Sequence, residues 1–136
     1  MSDFEQLIEN NLAALRAGKA IAVCVENWKG ILANAAWDAV LEPSAQTELE
    51  NLLATTHPVL FFANERQLVQ AISAYDLEAT DDLEKGKWLR MDGVLGIADQ
   101  WLDHRQSAQV ALALDPLLFG LIRRLRAPLV GFRIGT

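Results

Sequence analysis

Residues with nucleophilic or acid–base chemistry are few in this chain and lie far apart. Cys24 is the only cysteine, and His57 and His104 are the only histidines. A cysteine nucleophile needs a nearby histidine or a helix N-terminus to lower the pKa of its thiol. Cys24 ends one apolar run and His57 precedes another, so the two could meet at one end of a sheet. Cys24 lies inside the run AIAVCV, however, where a small buried side chain is the simpler interpretation. We predict no catalytic residue.

Metal and cofactor sites lack the spacing that they need. The two histidines are far apart and have no acid at ligand spacing, apart from Asp103 next to His104. Asp81, Asp82 and Glu84 lack the central glycine and closing glutamate of a calcium loop. A Gly-x-x-Gly pair in the second half of the chain lacks the third glycine or Lys-Ser/Thr of a phosphate-binding loop. We therefore expect no metal and no cofactor.

An acidic segment followed by tryptophan is the strongest candidate for a binding surface. Residues 76–87 (DLEATDDLEKGK) predict an exposed loop. Tryptophan is enriched at binding hot spots, and carboxylates beside it would guide a basic partner. The candidate partner-binding residues are Asp81, Asp82, Glu84 and Trp88. Trp28, in an expected turn, is the other tryptophan expected to be partly exposed. The alternative is that the acids are merely solvated and that Trp88 packs beneath its own hairpin.

Charge is divided unevenly along the chain. The net charge is −6, but residues 1–103 hold 17 acids and 7 bases, whereas residues 104–136 hold one acid and five arginines. The low isoelectric point, about 4.8, argues against nonspecific binding to nucleic acid or to an anionic membrane. Three of the arginines fall in the last turn of a predicted helix, where they offset the helix dipole. A small phosphate site is the alternative interpretation of these arginines.

Length and composition predict one folded domain over residues 1–136. The chain is 51% apolar and 22% charged, the balance of a protein with a buried core. Its apolar runs are too short for a transmembrane helix. Acids near the N-terminus (Asp3, Glu5 and Glu9) argue against a signal peptide, and a single cysteine excludes internal disulfides. We therefore expect a cytoplasmic protein.

Strand-like and helix-like patterns alternate along the chain. We predict helices over 2–17, from Pro43, from Asn64 to about Tyr75, over 98–105 and from Pro116, and strands over 20–25, 59–62, 110–114 and 129–134. Residues 27–30 indicate a turn, and Asp92-Gly93 between apolar arms indicates a hairpin. The predicted fold class is α/β or α+β, with a mixed sheet of about four to six strands covered by helices.

Two segments, residues 57–72 and 108–122, resemble the SseB-like domain of secretion-associated bacterial proteins. The resemblance covers about a quarter of the chain, and no function is taken from it.

Small size, acidity and the lack of a catalytic constellation favour a protein-binding module. We interpret the chain as an adaptor, or as an immunity-type inhibitor of a basic protein partner, that could also form a homodimer. The alternative is a small-molecule-binding α/β domain with its pocket at the carboxyl ends of the strands. A less favoured alternative is an enzyme that uses Cys24 with His57 or His104.

Overall fold

The apolar run Val59–Phe62 forms the central strand of a six-stranded mixed sheet. The structure is a computed structural model that describes residues 2–25, 28–73 and 75–134. Its strands are β1 (Ile21–Val25), β2 (Trp28–Asn34), β3 (Val59–Phe62), β4 (Leu89–Met91), β5 (Ala108–Leu112) and β6 (Leu129–Arg133). The strand order is β1-β2-β6-β3-β5-β4. β3 and β5 pair in parallel, and the other neighbours pair antiparallel.

Five α-helices accompany the strands in the described part of the chain. They are α1 (Asp3–Arg16), α2 (Pro43–Leu53), α3 (Glu65–Ala71), α4 (Ala79–Glu84) and α5 (Pro116–Leu125). α1 precedes β1, and the other four lie between strands. Three of the five helices have an N-cap residue whose side chain accepts a hydrogen bond from a backbone amide of the first turn. The Ser2 hydroxyl accepts from the Glu5 amide, Asn64 caps α3, and Asp115 caps α5 directly before Pro116. None of these helices has the length and apolar character to cross a bilayer.

The helices bury both faces of the sheet, because successive side chains of a strand point to opposite sides. Val59 and Phe61 pack on the face that α1 and α5 cover, among the leucines and isoleucines of those helices. Leu60 and Phe62 pack on the opposite face, with Leu49 of α2 and leucines of α3 and α4. The predicted fold class is confirmed as a single α+β domain.

An ion-pair network joins α1 to α5. Arg124 contacts the carboxylates of Glu5 and Glu9, each at 2.9 Å. The hydrogen bond to Glu5 is the main reason that the pKa of Arg124 is raised. Arg16 adds a hydrogen bond of 3.1 Å to the Arg124 carbonyl oxygen. The first and last helices are therefore held together by polar contacts as well as by their apolar faces.

Two predictions around the acidic segment are wrong. Residues 79–84 form α4 instead of a loop, because the buried Leu83 anchors the segment to the core. Asp92-Gly93 does not turn a hairpin, since β4 pairs with β5 and Val94 bridges to Ile72. In both places a long-range contact decides the conformation, and a local pattern cannot reveal it.

Other boundaries also differ from the sequence prediction. β5 spans Ala108–Leu112 instead of 110–114, and the helix predicted over 98–105 is replaced by two short 3₁₀ turns, Asp99–Trp101 and His104–Gln106. β2 already begins at Trp28, so residues 28–30 are strand rather than turn. Residue 27, the first of the predicted turn, lies outside the described residues. α3 ends at Ala71, because Ile72 adopts an extended conformation and bridges to Val94.

Replacing Leu121 with alanine should destabilise the domain by about 2–5 kcal/mol, since a cavity would remain in the core. Leu121 is fully buried between α5 and the sheet. Chemical denaturation of the two proteins measures the difference. A loss below about 1 kcal/mol would contradict the packing of α5 described above.

Candidate functional site

A cavity of about 520 Å³ opens on the sheet face that α1 and α5 cover, beside the carboxyl end of β5. We call it the aromatic cavity. Its lining residues are Val25, Trp28, Phe61, Lys85, Gly86, Trp88, Leu112, Ala113, Leu114, Asp115, Pro116, Leu118 and Arg133. It therefore combines the end of one parallel strand, the start of α5 and the segment that follows α4. Its lining combines apolar and aromatic side chains with three charged ones.

Two glycines allow the Trp28 indole to lie against the sheet. A Cβ atom at Gly131 would come within 3.0 Å of Trp28 Cζ2 and 2.8 Å of Phe61 Cε2. A Cβ atom at Gly30 would come within 2.1 Å of the Phe132 carbonyl oxygen on the paired strand and within 2.7 Å of the same indole. A side chain at Gly131 would therefore press on the two rings, and one at Gly30 would collide with the β6 backbone as well as with the indole. The two glycines therefore fix the position of Trp28 in the cavity floor.

The aromatic side chains form a continuous series that ends at a guanidinium group. Trp28 and Phe61 meet edge-to-face with their ring centroids 5.4 Å apart, and Phe61 meets Trp88 in the same way at 6.3 Å. The Arg133 guanidinium carbon lies 5.1 Å from the centroid of the Trp88 ring, within the range of a cation–π interaction. The series places a cation next to planar apolar surface.

The ionisable groups of the cavity lining are Lys85, Asp115 and Arg133. The Asp115 carboxylate accepts a hydrogen bond of 2.8 Å from the Leu117 amide, which engages it as the cap of α5. Gly86 has φ +88 after the last turn of α4, a conformation that favours glycine at a helix end. This turn leaves Lys85 and Trp88 at the cavity. The lining carries two cations and one acid, in a chain whose net charge is −6.

Three of the four candidate partner-binding residues lie on α4, and Trp88 follows that helix. Asp81 and Asp82 lie in the first turn of α4, where acids offset the positive end of the helix dipole. Asp82 also pairs with Lys87 at 3.3 Å. Trp88 is half-buried in the aromatic cavity, and Glu84 ends α4. No contact in the structure bears on a partner, so this role stays a prediction.

The exposure predicted for tryptophans is wrong in one case. Trp28 is 7% exposed instead of lying in an exposed turn, and its indole N–H has no hydrogen-bond partner among the described residues. Trp37, which the sequence pattern did not single out, is 72% exposed. Trp28 is buried because its strand pairs with β6, an interaction between distant parts of the chain.

The structure does not bring Cys24 and the histidines together. Cys24 lies on the edge strand β1, and His57 precedes β3, three strands away in the sheet. At about 4.8 Å between neighbouring strands, that separation is about 14 Å. The buried position predicted for Cys24 is wrong: the residue is exposed, because it points to the side of β1 opposite the core residues Ile21 and Val23.

His57 lines a second cavity of about 270 Å³, next to an ion pair between Arg90 and Asp103. The hydrogen bond from Arg90 holds the pKa of Asp103 below its ordinary value, and the charges of His104 and His57 act in the same direction.

Within residues 2–25, 28–73 and 75–134, no three metal-binding side chains are grouped to hold a metal ion.

Solved structures with the same architecture match nearly the whole chain. P. abyssi Sua5 complexed with L-threonine matches with a TM-score of 0.73 and 17% identity, over 93% of this chain and 38% of Sua5. E. coli YciO matches with a TM-score of 0.73 and 12% identity, over 93% of this chain and 63% of YciO. Full-length HypF in its phosphate- and nucleotide-bound form matches with a TM-score of 0.69 and 17% identity, over 91% of this chain and 20% of HypF.

The chain shares the fold of these proteins. It spans less than two thirds of the length of each. No protein-family model and no curated protein sequence matches it. The resemblance of residues 57–72 and 108–122 to the SseB-like domain therefore gains no support from those comparisons.

This fold corrects the main functional hypothesis. A protein-binding adaptor or immunity-type inhibitor was favoured because no ligand site could be recognised in the sequence. The structural neighbours are instead Sua5, YciO and HypF. The Sua5 structure holds L-threonine, and the HypF structure holds phosphate and nucleotide. Acidity of the whole chain misled the prediction, because net charge does not report the local charge of a cavity.

Of the residues that line this cavity, the sequence analysis proposes only Trp88 as a binding residue. It places Phe61 and Arg133 in predicted strands and Lys85 in a predicted loop. Gly86 after a polar segment with one buried leucine is the signal that could have revealed α4 and thus the position of Lys85.

Gly131→Ala should destabilise the domain by about 1–3 kcal/mol, because the added methyl group overpacks the Trp28–Phe61 contact. Gly120→Ala is the matched control. Gly120 lies within α5, where alanine has a higher helix propensity than glycine. A Cβ atom there would meet only the side chain of Ile8 on α1, whose terminal methyl group would lie at 3.0 Å. Denaturant unfolding of both variants measures the effect. Equal free energies of unfolding for the two variants would contradict the close packing of Trp28 and Phe61 against Gly131.

Cys24 should react with a thiol reagent such as dithionitrobenzoate in the native protein, because the side chain is exposed. The rate should lie within about tenfold of the rate for the unfolded chain. Cys24→Ala provides the blank. A native rate limited by unfolding would show instead that the thiol is covered.

Proposed function

We propose that this domain binds a small anionic organic molecule in the aromatic cavity. The observation that carries the proposal is the juxtaposition of Arg133 with the Trp28–Phe61–Trp88 series. A ligand with a planar or apolar group would lie against the half-buried Trp88, while its carboxylate or phosphate would accept hydrogen bonds from Arg133 and Lys85. Ligand pockets of 300–1,000 Å³ with apolar walls and a few polar groups are typical of such sites.

The fold supports this choice of ligand class. A Sua5 structure holds L-threonine, and a HypF structure holds phosphate and nucleotide. Amino acids and nucleotides both carry an anionic group beside an uncharged portion, as the cavity requires. We therefore propose an amino acid or a nucleotide as the ligand of this chain.

We propose binding without catalysis as the activity of this chain. The Asp115 carboxylate is engaged in capping α5, and Arg133 is stacked on Trp88. Cys24, His57 and His104 do not line the cavity. A cytoplasmic location is part of the same proposal, because a single exposed thiol suits a reducing compartment.

Titration of the protein with L-threonine, adenosine monophosphate and adenosine triphosphate, followed by calorimetry, tests the proposal. At least one of these ligands should bind saturably at one site per chain. Trp88→Leu and Arg133→Gln should each weaken binding at least tenfold, because each removes one side of the cavity. The matched control is Trp37→Leu, which removes an exposed indole outside the cavity and should leave affinity within twofold.

Two results would overturn this function. The first is that none of the three ligands binds at millimolar concentration to the folded protein. The second is that Trp37→Leu and Trp88→Leu weaken binding equally, which would place the ligand elsewhere.

A further inference from the structure

A second concave surface lies between the start of α3 and the last turn of α5. It encloses about 240 Å³ and is separate from the aromatic cavity. We call it the arginine groove. Its polar lining residues are Asn64, Arg66, Gln67, Gln70, Arg123 and Arg126. None of its lining residues, all of which are described by the structure, is acidic.

The helix dipole explains only part of this concentration of arginines. Of the three arginines at the end of α5, Arg124 pairs with two carboxylates of α1, whereas Arg123 and Arg126 line the groove. Arg66 comes from the first turn of α3, where the dipole disfavours a positive charge. Two elements from distant parts of the chain therefore bring their cations to one surface, and Arg66 does so against the dipole of its own helix.

The amide side chains of the groove add hydrogen-bond donors. The Asn64 side-chain oxygen accepts a hydrogen bond of 3.0 Å from the backbone N–H of Gln67. The Gln67 side-chain oxygen accepts one of 2.7 Å from the backbone N–H of Ala63. Because both oxygens face the backbone, the NH₂ group of each amide lies on the opposite side. Guanidinium and amide donors together are the groups that an anion requires.

Arg126 occupies a position that favours glycine. It follows the last turn of α5 in the left-handed conformation, with φ +61 and ψ +35. Glycine adopts this conformation without steric cost and is the usual residue at such a helix end. Arginine at this position therefore lowers stability while it supplies a guanidinium group to the groove.

We propose that the arginine groove binds a small phosphate-bearing anion, with inorganic diphosphate as its simplest representative. The planar guanidinium group can donate two parallel hydrogen bonds to one phosphate, which makes arginine the preferred residue for such ligands. Three arginines match the charge of two linked phosphates. The short groove in an otherwise acidic chain favours a small ligand over a nucleic acid, whose long backbone the acidic surface would repel.

Calorimetric titration with diphosphate, at constant ionic strength, tests this site. Diphosphate should bind at one site per chain. Arg66→Gln and Arg126→Gly should each weaken its affinity at least tenfold. Arg126→Gly should melt at the same temperature as the parent protein or higher, because glycine relieves the left-handed conformation. This variant thus separates loss of the site from loss of the fold.

The matched control is Arg105→Gln, which removes the same charge outside the groove and should change affinity less than twofold. Equal losses in Arg105→Gln and Arg66→Gln would overturn the proposal in favour of nonspecific attraction. If Arg133→Gln lost affinity for diphosphate while Arg66→Gln kept it, diphosphate would be assigned to the aromatic cavity instead. A titration with inorganic phosphate shows whether one phosphate group suffices, and affinity at least tenfold below that of diphosphate is expected. Tighter binding of a single-stranded oligonucleotide through the same arginines would overturn the assignment to a small ligand.

Discussion

The position of one indole ring shapes the aromatic cavity. Trp28 lies against the sheet because Gly30 and Gly131, on neighbouring strands, have no side chains in its way. Phe61 then meets the edge of the indole, and Trp88 meets Phe61. A side chain at Gly131 would press on both Trp28 and Phe61, and one at Gly30 would collide with the Phe132 carbonyl oxygen as well as with the indole. In a closely packed interior, two missing Cβ atoms thus leave the room that the Trp28 ring occupies.

The sequence predicted the elements whose signals are local. α1 and α5 have capping residues directly before an apolar face, and β3 is an uninterrupted apolar run, so each could be recognised within a short window. α4 and the strand that begins at Trp28 were missed because partners far along the chain stabilise them. The candidate site could not be predicted, since its lining comes from segments that only the sheet order brings together.

Net charge and local charge point to different partners for this chain. Seventeen of its acids precede residue 104, which suggested a basic protein partner. Asp81 and Asp82 instead occupy the positive end of a helix dipole, and Glu5 and Glu9 neutralise Arg124. These four acids thus have neighbours that account for them locally. Five of the twelve lysines and arginines line the two concave surfaces, against a single acid, Asp115.

The contact between α1 and α5 has a consequence for biosynthesis. The apolar face of α1 packs against a helix that begins more than a hundred residues later in the chain. During translation α1 therefore leaves the ribosome well before its main partner exists, and it must wait as an isolated amphipathic helix or as coil. Such a helix is marginally stable in water at 14 residues. The domain should therefore complete its fold only after α5 has left the ribosome, and until then the exposed apolar side chains of α1 are a binding target for chaperones.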